Sequence, residues 1–500
     1  MDLLPYTKTD YSQFKSNITF HEILSFTESE FLDWCHLFQK EILNNWSLGM
    51  PPSIGKSESD IKEDFRKLTD YEVRDSTLLT LDEKGNSEII GRVKNFKKVG
   101  NSVIQFFPTI MKTKVNGVSI YDSVNSDNLL SVLEKKIRYD SMYLFSSTLK
   151  SETEPSDIVK HLEQVVKGFD RHTGMYLFHS KSPISDTFDG YVRIDIGSLL
   201  ELVKIGILKD QHLSILDEKI ILLIKETQAS NLIEDEIYFT IRVYDKRTKV
   251  FPNIYQVLRL GFGQVAVNFP PLTTKVLVET FLEKIEEPQN EYVVYDPCMG
   301  WGGRLLGCMS SQLPIHYVGT EVNSEIWDNY NVLMDFCNGI GMNHSSVDFF
   351  RLGSQKIRSD KNFQKYMGDV DLVLTSPPYY NREVYSDDKE QSCHLYDDYY
   401  VWRDEFLRPT LTTCFDCLKS DRFLLLNISD LKQGKEYYPL EQDSVSICMN
   451  LGFRFHGKIL MYMSRMIGLN VKEIKNSHYD SDDKKYFKTE PIMVFSKQGE

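Results

Sequence analysis

From about residue 255 onward, short apolar runs alternate with longer amphipathic stretches, and this alternation restricts the fold more than any other feature of the chain. Helical spacing at 273–285, 302–312, 324–337, 398–418 and 440–451 is interleaved with strand-length runs at 291–295, 316–320, 347–352, 370–375, 423–428, 453–462 and 491–495. Strands separated by helices need crossover connections, so this half specifies an α/β fold: a mainly parallel, doubly wound, Rossmann-like sheet with helices on both faces. Ligands of such sheets sit outside the carboxyl ends of the strands. Pro409 is expected to kink or split the 398–418 helix.

Two of the strands end in unusual residues. The run at 370–375 stops in Ser376-Pro377-Pro378-Tyr379. Consecutive prolines fix two φ angles, remove two N–H donors and keep the preceding residues extended, so the carbonyls there are free to accept hydrogen bonds. Tyr379 offers a flat face for stacking on a planar group such as a nucleobase. The run at 291–295 leads into Asp296-Pro297-Cys298-Met299-Gly300-Trp301-Gly302-Gly303-Arg304. Its glycines permit a tight turn and close approach of a ligand to the backbone, in a spacing that is not the dinucleotide fingerprint. The next strand ends at Glu321, whose carboxylate can accept both hydroxyls of a ribose. Together these features predict a pocket for an adenosine-containing ligand that needs no phosphates. Gly55-Lys56-Ser57 lacks the upstream glycine and the preceding strand of a phosphate loop.

This combination resembles the amino-methyltransferases, DNA methylases of the N4/N6 type from phages and bacteria, over approximately residues 262–497. Gln391-Ser392, the aromatic stretch at 399–402, Asn427-Ile428-Ser429-Asp430 and Glu490-Pro491-Ile492-Met493-Val494-Phe495 extend the resemblance. It implies a methyltransferase sheet with S-adenosyl-L-methionine as cofactor and DNA as partner. Asp296, Pro297, Gly300, Gly302 and Thr375 would then bind the cofactor, Glu321 would hold its ribose, and Asn268-Phe269-Pro270-Pro271 would close its pocket. In the catalytic loop Ser376 and the Pro377 carbonyl would accept hydrogen bonds from the target amine, Pro378 would keep the loop rigid, and Tyr379 would stack on a flipped base. Ser376 favours cytosine N4 as the methylated atom, with adenine N6 a close second. Other readings are methylation of RNA or of a protein side-chain amide, or a non-catalytic nucleic-acid-binding protein that kept the fold. Tyr380, Asn381, Arg382 and Tyr385 lie on the loop that must face the substrate. Cys298 follows a proline, as the nucleophile of cytosine carbon-5 methyltransferases does, yet it falls in the cofactor turn. Asp371 reads as a strand-entry residue, and Asp430 as either a helix cap or a pocket residue.

No metal is expected, because Cys414 and Cys417 are the only close pair among eight cysteines, with no second pair or nearby histidine; they read as buried thiols. The first half reads as an α+β region at 1–150, with possible DNA recognition, and a small second lobe at 151–250 that follows a polar linker at 151–157. The catalytic domain is expected at 251–500. Residues 28–43 have helical spacing, and 88–98 and 103–111 read as strands. Gln105-Phe106-Phe107-Pro108-Thr109, beside Lys112 and Lys114, reads as an edge strand burying a Phe pair in preference to a base-stacking surface. A net charge of −14 confines any nucleic-acid contact to a local basic face. No apolar run approaches membrane-spanning length and no leader-like segment opens the chain, so a soluble, intracellular (cytoplasmic) protein is expected. With few residues beyond 497, target recognition is expected from residues 1–250 or from the 380–396 loop.

Overall fold

The computed structural model of the chain describes residues 11–47, 57–73, 79–81, 88–94, 98–115, 117–134, 190–195, 238–243, 249–251, 266–286, 288–342, 345–466, 477–480 and 485–499. Ten strands form its main sheet: β1 (Leu79–Leu81), β2 (Ile89–Lys94), β3 (Tyr292–Asp296), β4 (Ile315–Thr320), β5 (Ser346–Phe350), β6 (Val370–Thr375), β7 (Leu418–Asn427), β8 (Phe453–Met466), β9 (Ser477–Asp480) and β10 (Lys485–Lys497). Their order is β1-β2-β8-β10-β7-β6-β3-β4-β5, with β9 also paired to β10. From β5 to β7 every pairing is parallel, whereas β10 runs antiparallel between β7 and β8. The chain winds outward from β3 to β5 and then crosses back to lay β6 on the other side of β3. That reversal opens a crevice at the carboxyl ends of β3 and β6, the place where open α/β sheets bind ligands.

Alternation along the strands explains why both faces are covered. Tyr292 and Val294, Leu372 and Leu374, and Ile492 and Val494 enter one apolar cluster, while Val293 and Tyr295, Val373, and Met493 and Phe495 enter the other. The first cluster is closed by α1 (Glu28–Ser47), α2 (Glu58–Thr69), α3 (Pro271–Leu282), α4 (Gly303–Met309) and α5 (Trp327–Gly339). The second is closed by α6 (Arg408–Cys417) and α7 (Leu440–Asn450) together with Tyr399, Trp402 and Phe406. A wide π turn at Arg403–Leu407 precedes α6, and Pro409 lies in the first turn of α6, where it has no N–H to give the Glu405 carbonyl, which accepts from the Tyr396 hydroxyl instead (3.3 Å). The helix expected to kink or split at Pro409 is one contiguous run from Tyr399 to Cys417, with the π segment inside it and no break.

The described part of residues 11–134 shares the first apolar cluster with the sheet. β2 adds to the sheet edge parallel to β8, and Phe65 and Phe106 pack against Phe336 of α5 at ring separations of 5.6 and 5.2 Å. Lys275 of α3, buried, donates to the Leu68 and Thr69 carbonyls at the end of α2 (2.9 and 2.7 Å). Residues 103–111 are not a strand. Gly100, at φ +81°, and Pro108 divide the stretch into 3₁₀ helices at Asn101–Phe106 and Pro108–Lys112, because a left-handed glycine reverses the chain and a proline cannot donate to a ladder. Phe106 and Phe107 are fully buried in this arrangement, so the pair is core and not a stacking surface. Of the lobe expected at 151–250, the described residues form one antiparallel pair, Gly190–Asp195 with Tyr238–Val243; the linker at 151–157 and the helical stretches around it lie outside the described residues. No helix among the described residues is long and apolar enough to cross a membrane.

Candidate active site

At the crevice between β3 and β6 lies a cavity of about 770 Å³. Pro297, Cys298, Met299, Gly300 and Trp301 line it from the end of β3, Thr320 and Glu321 from the end of β4, and Ser376, Pro377, Pro378 and Tyr379 from the end of β6. Asn268, Phe269 and Pro270 line it ahead of α3. The structure thus brings the glycine turn, Glu321 and the proline loop into one space. Asp296, Gly302 and Thr375 do not line it.

Asp296 lies behind the cavity wall and not on it. Its carboxylate is turned inward and buried. Arg304 Nε donates to Oδ2 (2.7 Å), as does the Tyr317 hydroxyl (2.8 Å), while Cys298 N–H and Thr375 Oγ1 donate to Oδ1 (both 3.2 Å). Arg304 also donates to the Cys298 carbonyl. Burial works against the guanidinium charge, but Asp296 beside it holds Arg304 above its usual value. This buried pair is the internal post that shapes the turn from Pro297 to Gly303, and Thr375 ties the same post to β6.

Gly300 and Gly302 adopt φ of +60° and +68°, which only glycine takes without strain. They do so for different reasons. A Cβ at Gly302 would lie 2.7 Å from the Phe107 ring, so this glycine admits the N-terminal region against the turn; a Cβ at Gly300 would meet nothing within 4 Å. Gly300→Ala is accordingly expected to keep the packing and lose about 1–2 kcal/mol from the left-handed backbone alone. Urea unfolding would show this as a lower midpoint with an unchanged slope.

Glu321 Oε2 accepts from Gly300 N–H (2.9 Å), and Oε1 accepts from Val322 and Asn323 N–H (2.9 and 2.8 Å). Burial raises its ionisation above the usual glutamate value, with these three amides acting in the opposite direction. Further along the wall, both side-chain amide atoms of Gln355 are shielded and have no hydrogen-bond partner among the described residues.

The proline loop is anchored beyond the cavity. Tyr380 takes φ +56°, a conformation costly for a non-glycine residue. It is held by a hydrogen bond from its hydroxyl to the Asp397 carbonyl and by rings of Tyr399, Trp402 and Tyr438 within 5.8 Å. This turn presents Tyr379 to the cavity. The Tyr379 hydroxyl donates to Asn427 Oδ1 at the end of β7 (3.4 Å), and Asn427 Nδ2 donates to the Pro491 carbonyl of β10 (2.9 Å). Past Tyr380, Glu383–Val384 pairs antiparallel with Lys114–Val115 from the first half, and Tyr385 meets Trp301 edge to face at 5.3 Å. Arg382 and Tyr385 line the cavity; Tyr380 and Asn381 do not.

The remaining sequence candidates fall away from the chemistry. Burial, then Asp296 and Glu321, push the Cys298 thiol up, which opposes a thiolate nucleophile. Asp371 is buried at the opposite end of β6, accepting from Val293 N–H (3.0 Å) and Lys419 (3.0 Å). Asp430 accepts from Glu441 N–H at the start of α7 (3.0 Å), a cap. Cys414 and Cys417 are buried in the second apolar cluster, and burial pushes the Cys417 thiol up to about 12. Asn427, Gln355 and Glu490 also line the cavity, and sequence reading assigned them no role there. For Glu490 a signal existed: it is a charge directly ahead of an apolar run.

Residues 370–500 match the family model described as DNA methylase, the family that the motifs resemble. The type II methyltransferase M.MjaVI of Methanocaldococcus jannaschii is 32% identical over 91 residues, 18% of this chain; the chain spans 44% of the length of that curated relative. Among solved structures, TTHA0409 of Thermus thermophilus, described as a DNA modification methylase and complexed with S-adenosyl-L-methionine, is 22% identical over 29% of this chain and 54% of its own, with a TM-score of 0.21. A SAM-dependent methyltransferase of Agrobacterium tumefaciens is 11% identical over 48% of this chain and 65% of its own, with a TM-score of 0.29.

Proposed function

We propose that this chain, whose residues 370–500 carry the DNA methylase match, transfers a methyl group from S-adenosyl-L-methionine to the exocyclic amine of a base extruded from DNA. The observation that carries this reading is the shared cavity into which the Ser376–Tyr379 loop, the glycine turn and Glu321 all open. Its volume of about 770 Å³ lies within the range for small-ligand sites.

The residues present fit the cofactor. Gly300 leaves open space where a side chain would stand, Glu321 retains acceptor capacity toward the cavity beyond its three amide bonds, and the unpaired Gln355 amide can both donate and accept. S-adenosyl-L-methionine supplies an electrophilic methyl group on a sulfonium. The chain's part is to hold and orient the amine. An exocyclic amine is a poor nucleophile because its lone pair is delocalised into the ring. Hydrogen bonds from its two N–H groups to Ser376 Oγ and the Pro377 carbonyl favour a pyramidal nitrogen, and the face of Tyr379 fixes the plane of the base. Catalysis of this kind rests on positioning and electrostatics, with no covalent enzyme intermediate. Extrusion of the base costs a few kcal/mol, offset by stacking and hydrogen bonds in the pocket. Ser376, neutral and short, favours cytosine N4 over adenine N6.

Incubating the protein with methyl-labelled S-adenosyl-L-methionine and DNA of mixed sequence, then digesting the DNA, is expected to yield labelled N4-methylcytosine. Labelled N6-methyladenine would keep the reaction and reverse the base preference. Label appearing only in RNA or protein supplied in parallel would overturn DNA as substrate, and absence of cofactor binding would overturn the enzyme reading.

A further inference from the structure

Methylation of a neutral amine replaces one N–H by N–CH3 and releases one proton, yet neither acceptor of the catalytic loop can keep it, since a serine hydroxyl and a peptide carbonyl are far too weak as bases. We propose that the Glu490 carboxylate, on the strand that overhangs this loop, is the group that takes the proton. The inference rests on the amino-methyltransferase reading above.

Strand register puts Glu490 there. Thr375 of β6 pairs with Leu426 of β7, and Asn427, one residue further, pairs with Ile492 of β10. The level of Asn427 is therefore the level at which β6 gives way to Ser376. Because β10 is antiparallel, its residues before Ile492 continue past the carboxyl ends of β6 and β7 and over the cavity mouth. The Asn427 amide clamps β10 at this point through the Pro491 carbonyl. Side chains of a strand alternate, so Glu490 shares a face with Ile492 and Val494, which are core residues. An acid at that position is anomalous as structure: it replaces an apolar side chain and costs desolvation. It is explained if the face opens at Glu490 onto the cavity, and Glu490, Met461 and Met463 do line it there.

The carboxylate is held ready. Four groups act on it or feel it: Lys488 on its own strand, Arg382 and Glu383 from the loop, and Tyr379, whose ionisation Glu490 pushes up after burial has done so. Glu383 is engaged, accepting from the Tyr385 hydroxyl (2.6 Å). No side-chain hydrogen bond or ion pair among the described residues engages the Glu490 carboxylate. Burial raises its ionisation above the usual glutamate value, with Lys488 and Arg382 acting in the opposite direction. A carboxylate raised in this way is a stronger base than an exposed glutamate, which suits it to receive a proton. In the step itself the nitrogen lone pair forms the N–CH3 bond, the C–S electron pair leaves on sulfur, and the cationic nitrogen passes one N–H proton to a Glu490 oxygen, which returns it to water.

The test compares wild type with Glu490→Gln, which preserves shape and removes basicity. Single-turnover transfer to DNA is expected to fall about 10²-fold, with cofactor affinity by calorimetry unchanged. The wild-type rate should rise with pH through an ionisation above the ordinary glutamate range, and the variant should lose that limb. Independently of turnover, carboxyl carbon NMR of the wild-type protein labelled at glutamate Cδ should show, beside those of Glu321 and the other buried glutamates, a resonance that titrates above the ordinary range and is missing from Glu490→Gln. A variant that keeps the wild-type rate and pH limb, or a spectrum without that resonance, overturns the proposal. Equal loss of cofactor binding and rate in the variant would make Glu490 structural and overturn it too. A wild type that shows the raised resonance but methylates no nucleic acid overturns the functional reading and the catalytic role with it.

Discussion

Arg304→Met is expected to destabilise the fold by about 3–5 kcal/mol, because it leaves the Asp296 carboxylate charged, buried and without its guanidinium. The pair is 2.7 Å apart, with side-chain exposures of 6% for Arg304 and 1% for Asp296, so solvent cannot replace the lost partner. Tyr317, Thr375 and the Cys298 amide still donate to the carboxylate, which is why the cost is not larger. Against a total stability of about 5–15 kcal/mol for an ordinary domain this is a large fraction. Urea unfolding measures it, and adding Asp296→Asn to the variant should recover part of the loss, since no charge then remains buried. The same variant frees the Cys298 carbonyl that Arg304 holds, so the turn loosens and cofactor affinity should fall even at temperatures where the protein stays folded. A cost below about 1 kcal/mol would place the pair among exposed ion pairs and deny it the role of post.

Asp296 marks a boundary of what the sequence makes legible. The glycine turn, the proline loop and Glu321 announce themselves locally, because glycine and proline restrict the backbone wherever they occur and strand ends follow from apolar run length. The direction in which Asp296 faces depends on Tyr317 one strand over and on Arg304 one turn further along, and only the closed sheet juxtaposes them. The same distinction separates the two halves of the molecule. The mainly parallel sheet of the second half, covered on both faces, follows from the alternation of strands and helices, whereas the insertion of antiparallel β10 between β7 and β8 does not. That β2 lies parallel along β8, or that Lys114–Val115 grips Glu383–Val384, is a pairing between segments hundreds of residues apart with no mark in either segment alone. Residues 103–111 failed as a strand for the opposite reason: their apolar content suits either structure, and Gly100 and Pro108 decide it. Phe107, which sequence reading allowed to face nucleic acid, instead packs beside Gly302 and against Tyr330 at 5.2 Å. The first half thus reaches the candidate active site as a wall of its cavity, through Lys98, Asn101 and Val115.

On the proposed amino-methyltransferase function the Ser376–Tyr379 loop makes two separable contributions, and substitutions should split them. Ser376→Ala removes one of two acceptors for the amine while leaving the prolines, Tyr379 and the cofactor turn in place. Removal of one preorganised polar contact to a transition state typically costs about 10²–10³ in rate, so single-turnover transfer should fall by that factor while affinity for cofactor and DNA stays within about twofold. Tyr379→Ala acts on the other term. Loss of a stacking face costs about 1–3 kcal/mol per base, which weakens binding of DNA carrying the extruded base by about 10–100-fold, and the rate at saturating DNA should fall less than for Ser376→Ala. Tyr379→Phe discriminates between ring and hydroxyl. The hydroxyl makes a long bond of 3.4 Å to Asn427, near the limit of useful geometry, so the phenylalanine variant should retain most of the wild-type activity. If Tyr379→Phe were as impaired as Tyr379→Ala, the hydroxyl and its link through Asn427 to β10 would be the active feature, and the ring face would no longer explain how the base is held.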